Sequence, residues 1–207
     1  MKQVIKYIVF VLLIGLSLYN AVYFESLDDH KRGQNKGIFD AKTLAIDFMA
    51  SKTETLPAIN ASEFLVNIAD DITVYCKNNG KKLGISDNYN FIIEGNATVA
   101  TIEDENILLV LNDDKEQHIR IATDFIFGNA IRDASVIADI GDFQNTMDFN
   151  SISVELNNIV RETVVPLLKQ KVEEDDELYF KGAVEVNTKH PDLQHIKVIP
   201  LIIKFKK

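Results

Sequence analysis

An uncharged, apolar run near the N-terminus is the feature that most constrains this chain. Residues 7–24 carry no formal charge, and only Ser17 and Asn20, both near the far end, interrupt their apolar character. One helix needs about 20 apolar residues to cross the hydrocarbon core of a bilayer. The run therefore predicts a transmembrane signal anchor over residues 7–24, preceded by a cytoplasmic head over residues 1–6.

The positive charges on either side of the run predict its orientation. Lys2, Lys6 and the amino terminus favour a cytoplasmic head by the positive-inside rule. Lys31, Arg32 and Lys36 lie past the run and compete with them. We expect a single-pass protein of the inner or plasma membrane whose C-terminal domain is extracytoplasmic, that is, periplasmic.

Two other interpretations of the run stay open. A cleaved signal peptide needs small side chains before its cleavage site, but the nearest candidate, which ends at Ala21, has Tyr19 where a small residue is wanted. A helix buried in a protein core is the second interpretation. Direct lipidation would need a cysteine just after the run, whereas the only cysteine is Cys76, which lies in an apolar helical pattern and is expected in the core.

The part of the chain that follows the anchor is acidic. From residue 37 onward, 17 Lys and Arg stand against 28 Asp and Glu, a net charge of −11. Nucleic-acid phosphates and anionic lipid headgroups repel such a surface, so nucleic-acid binding is not expected. One cysteine cannot form an internal disulfide, so packing must supply the stability.

A polar linker, residues 25–38, leads into a predicted helical segment, residues 39–85. Asp40 is the expected N-cap of its first helix. Apolar residues then recur at steps of three and four from Ser62 to about Asn79, which predicts a second helix with one buried stripe. The glycine that follows two asparagines is a typical end of a helix.

The pattern of residues 86–207 changes to a two-residue period, which is typical of strands. We expect three strands, a helix that Ser151 caps and Pro166 kinks, and two more strands; the strand ranges are 91–102, 107–111, 118–127, 178–186 and 196–205. This is the order of an OB-fold, a five-stranded, partly open barrel, within an α+β or mainly β chain. Gly95 is expected to bulge or bend the first strand. A small α+β sandwich with the same elements paired differently is the alternative.

The segment between the third strand and the helix holds the candidate binding residues. Arg132 and Asp133 lie between apolar neighbours, so Arg132 either pairs with a carboxylate as a structural contact or clamps an anionic ligand. Asp142 and Asn145 follow, beside two phenylalanines. They are interpreted either as turn and capping residues or as part of a sugar site.

The motifs of this region resemble those of one bacterial family. The runs GNAIRDAS and DFQNTMDF, then ELNN with Pro166, YFKGA and IKVIPL, are similar to the domain-of-unknown-function 2291 (DUF2291) family, described as predicted periplasmic lipoproteins. Members are often encoded beside sugar ABC transporters of the ribose or xylose type, which implies an extracytoplasmic accessory of carbohydrate uptake. The family has no established catalytic residues to carry over. This chain lacks the lipidation cysteine, so an uncleaved helix would replace the lipid tether.

Motifs for catalysis, metals and cofactors are weak in this sequence. His190 and His195 have a spacing that zinc sites use, but no cysteine pair or third ligand accompanies them, and solvent-exposed histidines are expected instead. No glycine-rich phosphate loop and no nucleophile elbow occurs. We therefore expect no cofactor, no metal and no enzymatic activity.

Three functions are consistent with these observations. The first is a non-catalytic, membrane-anchored accessory protein that contacts components of a sugar ABC transporter. The second is a carbohydrate-binding module that holds a small ligand on the barrel face or near Arg132, since OB-folds bind oligosaccharides. The third is an enzyme, which would require a polar cluster with perturbed pKa values in the folded chain.

Overall fold

The structure, a computed structural model, describes residues 39–206 together with five residues near the N-terminus, which have helical backbone: Gln3, Lys6, Tyr7, Phe10 and Leu12. The predicted linker, and most of the predicted anchor and head, lie outside the described residues. Within the part of the chain that is described, no helix is long and apolar enough to cross a membrane. The chain divides into two compact units, Met1–Phe39 and Asp40–Lys207, and every strand described lies in the second.

The second unit contains helices and strands in a mixed order. The helices are α1 (Ala41–Ser51), α2 (Ala61–Asp70), α3 (Ile72–Asn79), α4 (Ala130–Ser135), α5 (Thr146–Ile159) and α6 (Val165–Lys171), with a 3₁₀ turn at Ile140–Asp142 and a π-helical turn at Val160–Val164. The strands are β1 (Ile59–Asn60), β2 (Asn88–Ile102), β3 (Asn106–Leu111), β4 (His118–Ala122), β5 (Glu177–Asn187) and β6 (Lys197–Phe205).

Five of the strands close into a barrel. Around it, β2, β3, β4, β6 and β5 are hydrogen-bonded neighbours, and β5 pairs back onto β2. The pairs are antiparallel except for β4 with β6. Along the chain, α4, α5 and α6 lie between β4 and β5, the third and fourth barrel strands in sequence. This is the OB-fold order expected from the sequence. The barrel prediction is confirmed, and the alternative sandwich is not.

The long strand β2 closes the barrel, because it pairs with β5 over residues 88–98 and with β3 over residues 97–102. The predicted bulge at Gly95 is wrong. The register shifts between Val99 and Thr101, so the extra residue is Ala100. A Cβ at Gly95 would lie 3.3 Å from the ring of Phe180 and 3.4 Å from Ala61, so glycine lets the flanking elements pack closely there.

Two predicted helix boundaries are also wrong, and side-chain capping explains both. The helix expected from Ser62 to Asn79 is split, because Asp71 has extended backbone and its carboxylate accepts the amide hydrogen of Val74 to start α3. The helix that Ser151 was expected to cap starts six residues earlier, since Asn145 is the N-cap of α5. The predicted N-cap of α1, in contrast, is confirmed: the side chain of Asp40 accepts from two amides of the first turn.

The core fills the barrel and extends under α2 and α3. The rings of Phe64, Tyr75 and Phe91 form a cluster with centroids 5.0–6.1 Å apart. Cys76 lies fully buried beside this cluster, and burial raises the pKa of its thiol to about 11. A thiol that stays protonated is a poor nucleophile, so Cys76 acts as a small apolar core residue.

A buried lysine fastens the α1–β1 connection to the barrel. Lys181 in β5 is 5% exposed, and its ammonium group donates to the carbonyls of Glu54 (3.2 Å) and Leu56 (2.9 Å). It also pairs with the carboxylate of Glu94 at 3.0 Å, and the Tyr179 hydroxyl donates to the same carboxylate at 2.7 Å. Burial alone would raise the pKa of Glu94, but the hydrogen bonds from Tyr179 and Lys181, together with the lysine charge, lower it. All three ammonium hydrogens thus have acceptors.

We predict that Lys181→Met destabilises the fold by about 2–3 kcal/mol, because it leaves two carbonyls and a partly buried carboxylate without their donor. Urea unfolding followed by circular dichroism measures the loss. Lys204→Met is the matched control, since Lys204 pairs with Glu54 at 2.9 Å on the surface, where the two side chains are 55% and 63% exposed. The control is expected to change stability by less than about 0.5 kcal/mol. Equal losses in both variants would contradict this interpretation.

Candidate functional site

Side chains of α5 and of the π-helical turn that follows it hold the chain between β4 and α5 in place. The amide of Asn157 donates to the carbonyl of Gly128 at 2.9 Å, and the guanidinium of Arg161 donates to the carbonyl of Ile126. The short helix α4, which the sequence did not predict, packs against β2 and β5 as well as α5. These contacts fix the backbone that carries the candidate residues.

Arg132 is the centre of this region, with only 1% of the residue exposed. Its Nε donates to Asp133 Oδ1 at 2.8 Å, and Nη1 donates to Asn150 Oδ1 at 3.0 Å and to the carbonyl of Phe149 at 3.4 Å. The guanidinium carbon lies 3.8 Å from the centre of the Phe149 ring, a cation–π contact. Nη2 has no hydrogen-bond partner within residues 39–206.

Arg132 also forms part of the wall of an open cleft of about 300 Å³, which we call the Arg132 cleft. Its other walls come from the loop after α3, the segment after α4, and α5: Lys81, Lys82, Leu83, Asp133, Val136, Ala138, Asp139, Ile140 and Phe149. The charged groups are therefore three cations and two carboxylates. Nη2 is not sealed from solvent, so water or a ligand can accept its hydrogen bonds at the cleft.

The backbone and electrostatics around the cleft are unusual. Val136 has φ of +51°, a left-handed conformation that is strained for a β-branched residue. Glu185 in β5 is exposed as a whole, but partial desolvation of its carboxyl group and then the charge of Asp133 raise its pKa. The same Glu185 accepts a hydrogen bond from the amide of Asn88 at 2.8 Å. Strain and perturbed ionisation both tend to occur at functional sites.

The four residues singled out from the sequence fall into two groups. Arg132 and Asp133 lie in the cleft. Asp142 and Asn145 do not line it: Asp142 is exposed at the end of the 3₁₀ turn, and the Asn145 side chain both accepts from the backbone of Asp148 and donates to its carboxylate. The structure thus places Asn145 in a capping contact.

Sequence reasoning missed the residues that complete the cleft. Lys81 and Lys82 directly follow the glycine that ends α3, but their proximity to Arg132 depends on how the loop packs. Asp139 and Phe149 lie within the motif-rich segment, and the two phenylalanines noted there, Phe143 and Phe149, do pack together at 5.5 Å. The polar and aromatic motifs of residues 128–149 were the sequence signal for Asp139 and Phe149, whereas nothing in the sequence indicated that Lys81 and Lys82 belong to the cleft.

A second groove, of about 680 Å³, lies on the barrel face that OB-folds use for ligands. Residues of α2 line it together with Leu108, His118 and Arg120 of β3 and β4. Arg120 is already engaged, because it donates to the carbonyl of Gln194 at 3.2 Å and pairs with Glu103 at 3.4 Å. Nη2 of Arg120, like that of Arg132, has no acceptor among the described residues, but Arg120 is less deeply buried than Arg132.

Comparison with known proteins identifies the family. The profile described as "Predicted periplasmic lipoprotein (DUF2291)" matches residues 12–204. The chain belongs to the DUF2291 family. The resemblance read from the motifs is thereby confirmed, although the profile says nothing of a transporter. Cys76 is buried in α3 and is not the lipid-bearing cysteine that the family description implies.

A solved structure supports the fold. An OB-fold protein from Thermotoga maritima is similar to the chain with a TM-score of 0.73 and 25% sequence identity, over 82% of this chain and 99% of that one. No protein of curated function matches the chain. The solved structure thus supports the OB-fold, and the family profile supports a family described as predicted periplasmic lipoproteins.

We predict that Glu185→Gln stabilises the protein at pH 7. Because the pKa of Glu185 is raised in the folded state, its ionised form opposes folding, and that penalty disappears as pH falls through the folded pKa towards the ordinary value of 4.5. The gain should stay below about 1 kcal/mol, since solvent screens this carboxylate. Urea unfolding at pH 7 and pH 4 measures it.

The matched control is Glu177→Gln, at the exposed start of the same strand. It should not give the pattern expected for Glu185→Gln, a gain at pH 7 that vanishes at pH 4. A Glu185→Gln protein that is less stable than wild type at pH 7, or equally stabilised at both pH values, would refute the prediction.

Proposed function

We propose that the protein is a non-catalytic, extracytoplasmic binding protein, tethered to the membrane by residues 7–24, whose Arg132 cleft holds a small polar ligand. One observation carries the binding role: Arg132, which is 1% exposed and lines an open cleft, directs two guanidinium nitrogens to protein acceptors, and its Nη2 has no acceptor among the described residues. A ligand acceptor at that position would complete its hydrogen bonding.

The size and chemistry of the cleft suit a small solute. About 300 Å³ is at the lower end of the volumes of ligand pockets and can hold a ligand the size of a monosaccharide. Arg132 and the two lysines supply donors, and Asp133 and Asp139 supply acceptors. A guanidinium group donates hydrogen bonds but does not transfer protons, which favours binding over catalysis. A carbohydrate is the ligand class that the family resemblance suggests.

The tether and the partner are also part of this proposal. The family description supports a periplasmic location, and the uncharged run supports an uncleaved signal anchor in place of a lipid. Association with a sugar ABC transporter is supported by the resemblance alone. A tethered solute-binding domain beside such a transporter would serve as an accessory of uptake.

The first test concerns the tether. Wild-type protein should stay in the membrane pellet after carbonate extraction, whereas the variant Leu12→Arg with Leu13→Arg should move to the soluble fraction. Each arginine near the helix centre costs about 2.5–3.5 kcal/mol of insertion free energy. The control, Thr55→Arg with Gln144→Arg, adds the same charge at exposed sites of the second unit and should stay with the membrane. Protease added to spheroplasts should digest the barrel.

Wild-type protein of full length in the soluble fraction would contradict the proposed tether. A shortened periplasmic form would show instead that the run is a cleaved signal peptide. The same membranes test the partner, since a tagged chain is expected to co-purify with a permease or ATPase of a sugar transporter. Repeated purification without either would count against the association.

The second test concerns the cleft. A solute at 100 times its dissociation constant should stabilise the protein by about 2.7 kcal/mol, which a thermal-shift screen of pentoses, hexoses, their phosphates and sugar acids would detect. Ala138→Trp places an uncharged indole in the cleft and should abolish the shift. Thr55→Trp, an equal substitution at an exposed site, should retain it. A shift that survives Ala138→Trp, or no shift with any solute, would remove the proposed binding role.

A further inference from the structure

We infer that the ligand of the Arg132 cleft carries an oxyanion, a carboxylate or phosphate group, which binds Arg132 Nη2 together with the ammonium groups of Lys81 and Lys82. This inference rests on the proposed binding function and specifies the chemical class of the ligand. It separates an anionic solute from the neutral sugar that the resemblance suggests.

The hydrogen bonds of Arg132 leave one direction for a ligand. Asp133 holds Nε and Asn150 holds Nη1, while the ring of Phe149 supports the guanidinium plane. The group is therefore fixed in orientation, and its remaining donor is Nη2. Charge-assisted hydrogen bonds from a guanidinium to an oxyanion are about twice as strong as neutral ones, and the buried setting strengthens them further.

The two lysines line the same cleft as Arg132 but come from another part of the chain. The backbone of Lys81 is locked by reciprocal hydrogen bonds with Asn90, at 2.9 and 2.7 Å. Lys82 donates to the carbonyl of Ser86 at 3.1 Å and lies 5.0 Å from the ring centre of Tyr89. Neither lysine forms an ion pair within residues 39–206. Lysine ammonium groups are mobile point charges that suit an oxyanion beside a fixed guanidinium.

Two carboxylates, Asp133 and Asp139, line the cleft with the three cations and leave one positive charge in excess. Asp133 is already bound to Nε of Arg132, and Asp139 accepts the amide hydrogen of Gly141 at 2.7 Å. Glu185 adds a further negative charge beside Asp133 but does not line the cleft. Three cations gathered at one cleft of a chain with a net charge of −9 form a local exception. A neutral ligand would leave the two lysines without counter-charge, whereas an oxyanion supplies it.

The test uses the full chain and a double variant that keeps the fold. Lys81→Gln with Lys82→Gln removes two exposed charges from the cleft, and Lys115→Gln with Lys197→Gln removes two exposed charges elsewhere. Calorimetry at constant ionic strength measures inorganic phosphate, ribose 5-phosphate, glucuronate, ribose and glucose as probes. Phosphate and ribose 5-phosphate report a phosphate site, and glucuronate reports a carboxylate site.

We expect at least one anionic probe to bind wild type, with its affinity about tenfold or more weaker in the cleft variant and unchanged in the control. Arg132→Lys keeps the charge but loses the several N–H donors of the planar guanidinium group. If circular dichroism shows that this variant is folded, it should bind the same probe more weakly than wild type. Equal binding of the anions by the cleft variant and wild type would overturn the inference.

The outcomes separate this inference from the function on which it rests. If ribose or glucose binds wild type, is blocked by Ala138→Trp and is unaffected by loss of the two lysines, the cleft is a neutral-sugar site, and only the oxyanion inference fails. If no probe binds, both fail.

Discussion

The pairing of β2 with two other barrel strands, β3 and β5, is the constraint on which the rest of the structure depends. One strand of 15 residues supplies hydrogen bonds to β5 along its first part and to β3 along its last. Ala100, the extra residue of its bulge, lies within the stretch paired with β3. Closing the barrel in this way leaves its ends and outer faces to be covered by helices, and those helices build the cleft.

Two buried cations of this fold, Lys181 and Arg132, differ in how completely protein acceptors fill their hydrogen bonds. Lys181 is 5% exposed, and each of its three hydrogens has an acceptor, so its role is to fasten the α1–β1 connection. Arg132 is buried more deeply, yet Nη2 lacks a partner in the described part of the chain. Buried charges persist only when they are compensated, and Asp133 compensates Arg132 at 2.8 Å. The two cations therefore differ in hydrogen bonding, because one guanidinium nitrogen of Arg132 has no protein acceptor among the described residues.

The elements that sequence reasoning predicted well are those with a local physical signal. The alternation of the barrel strands, the apolar stripe of the α2–α3 region and the Asp40 cap all arise from neighbours in the chain. The errors came where two local signals competed. Asp71 starts a new helix inside the predicted Ser62–Asn79 helix, and Asn145, not Ser151, caps α5; nothing in the sequence ranked one polar side chain above another.

The sequence by itself determined the strand–helix order, the acidity of the domain and the importance of the segment around Arg132, because periodicity, composition and motif density are properties of the chain. Only the tertiary structure decided that Arg132 is buried, that its Nη2 is unpaired and that Lys81 and Lys82 share its cleft. About fifty residues separate those lysines from the arginine in the sequence. Their meeting depends on the barrel, since α4 lies against β2 and β5, and the lysine loop is bonded to the start of β2.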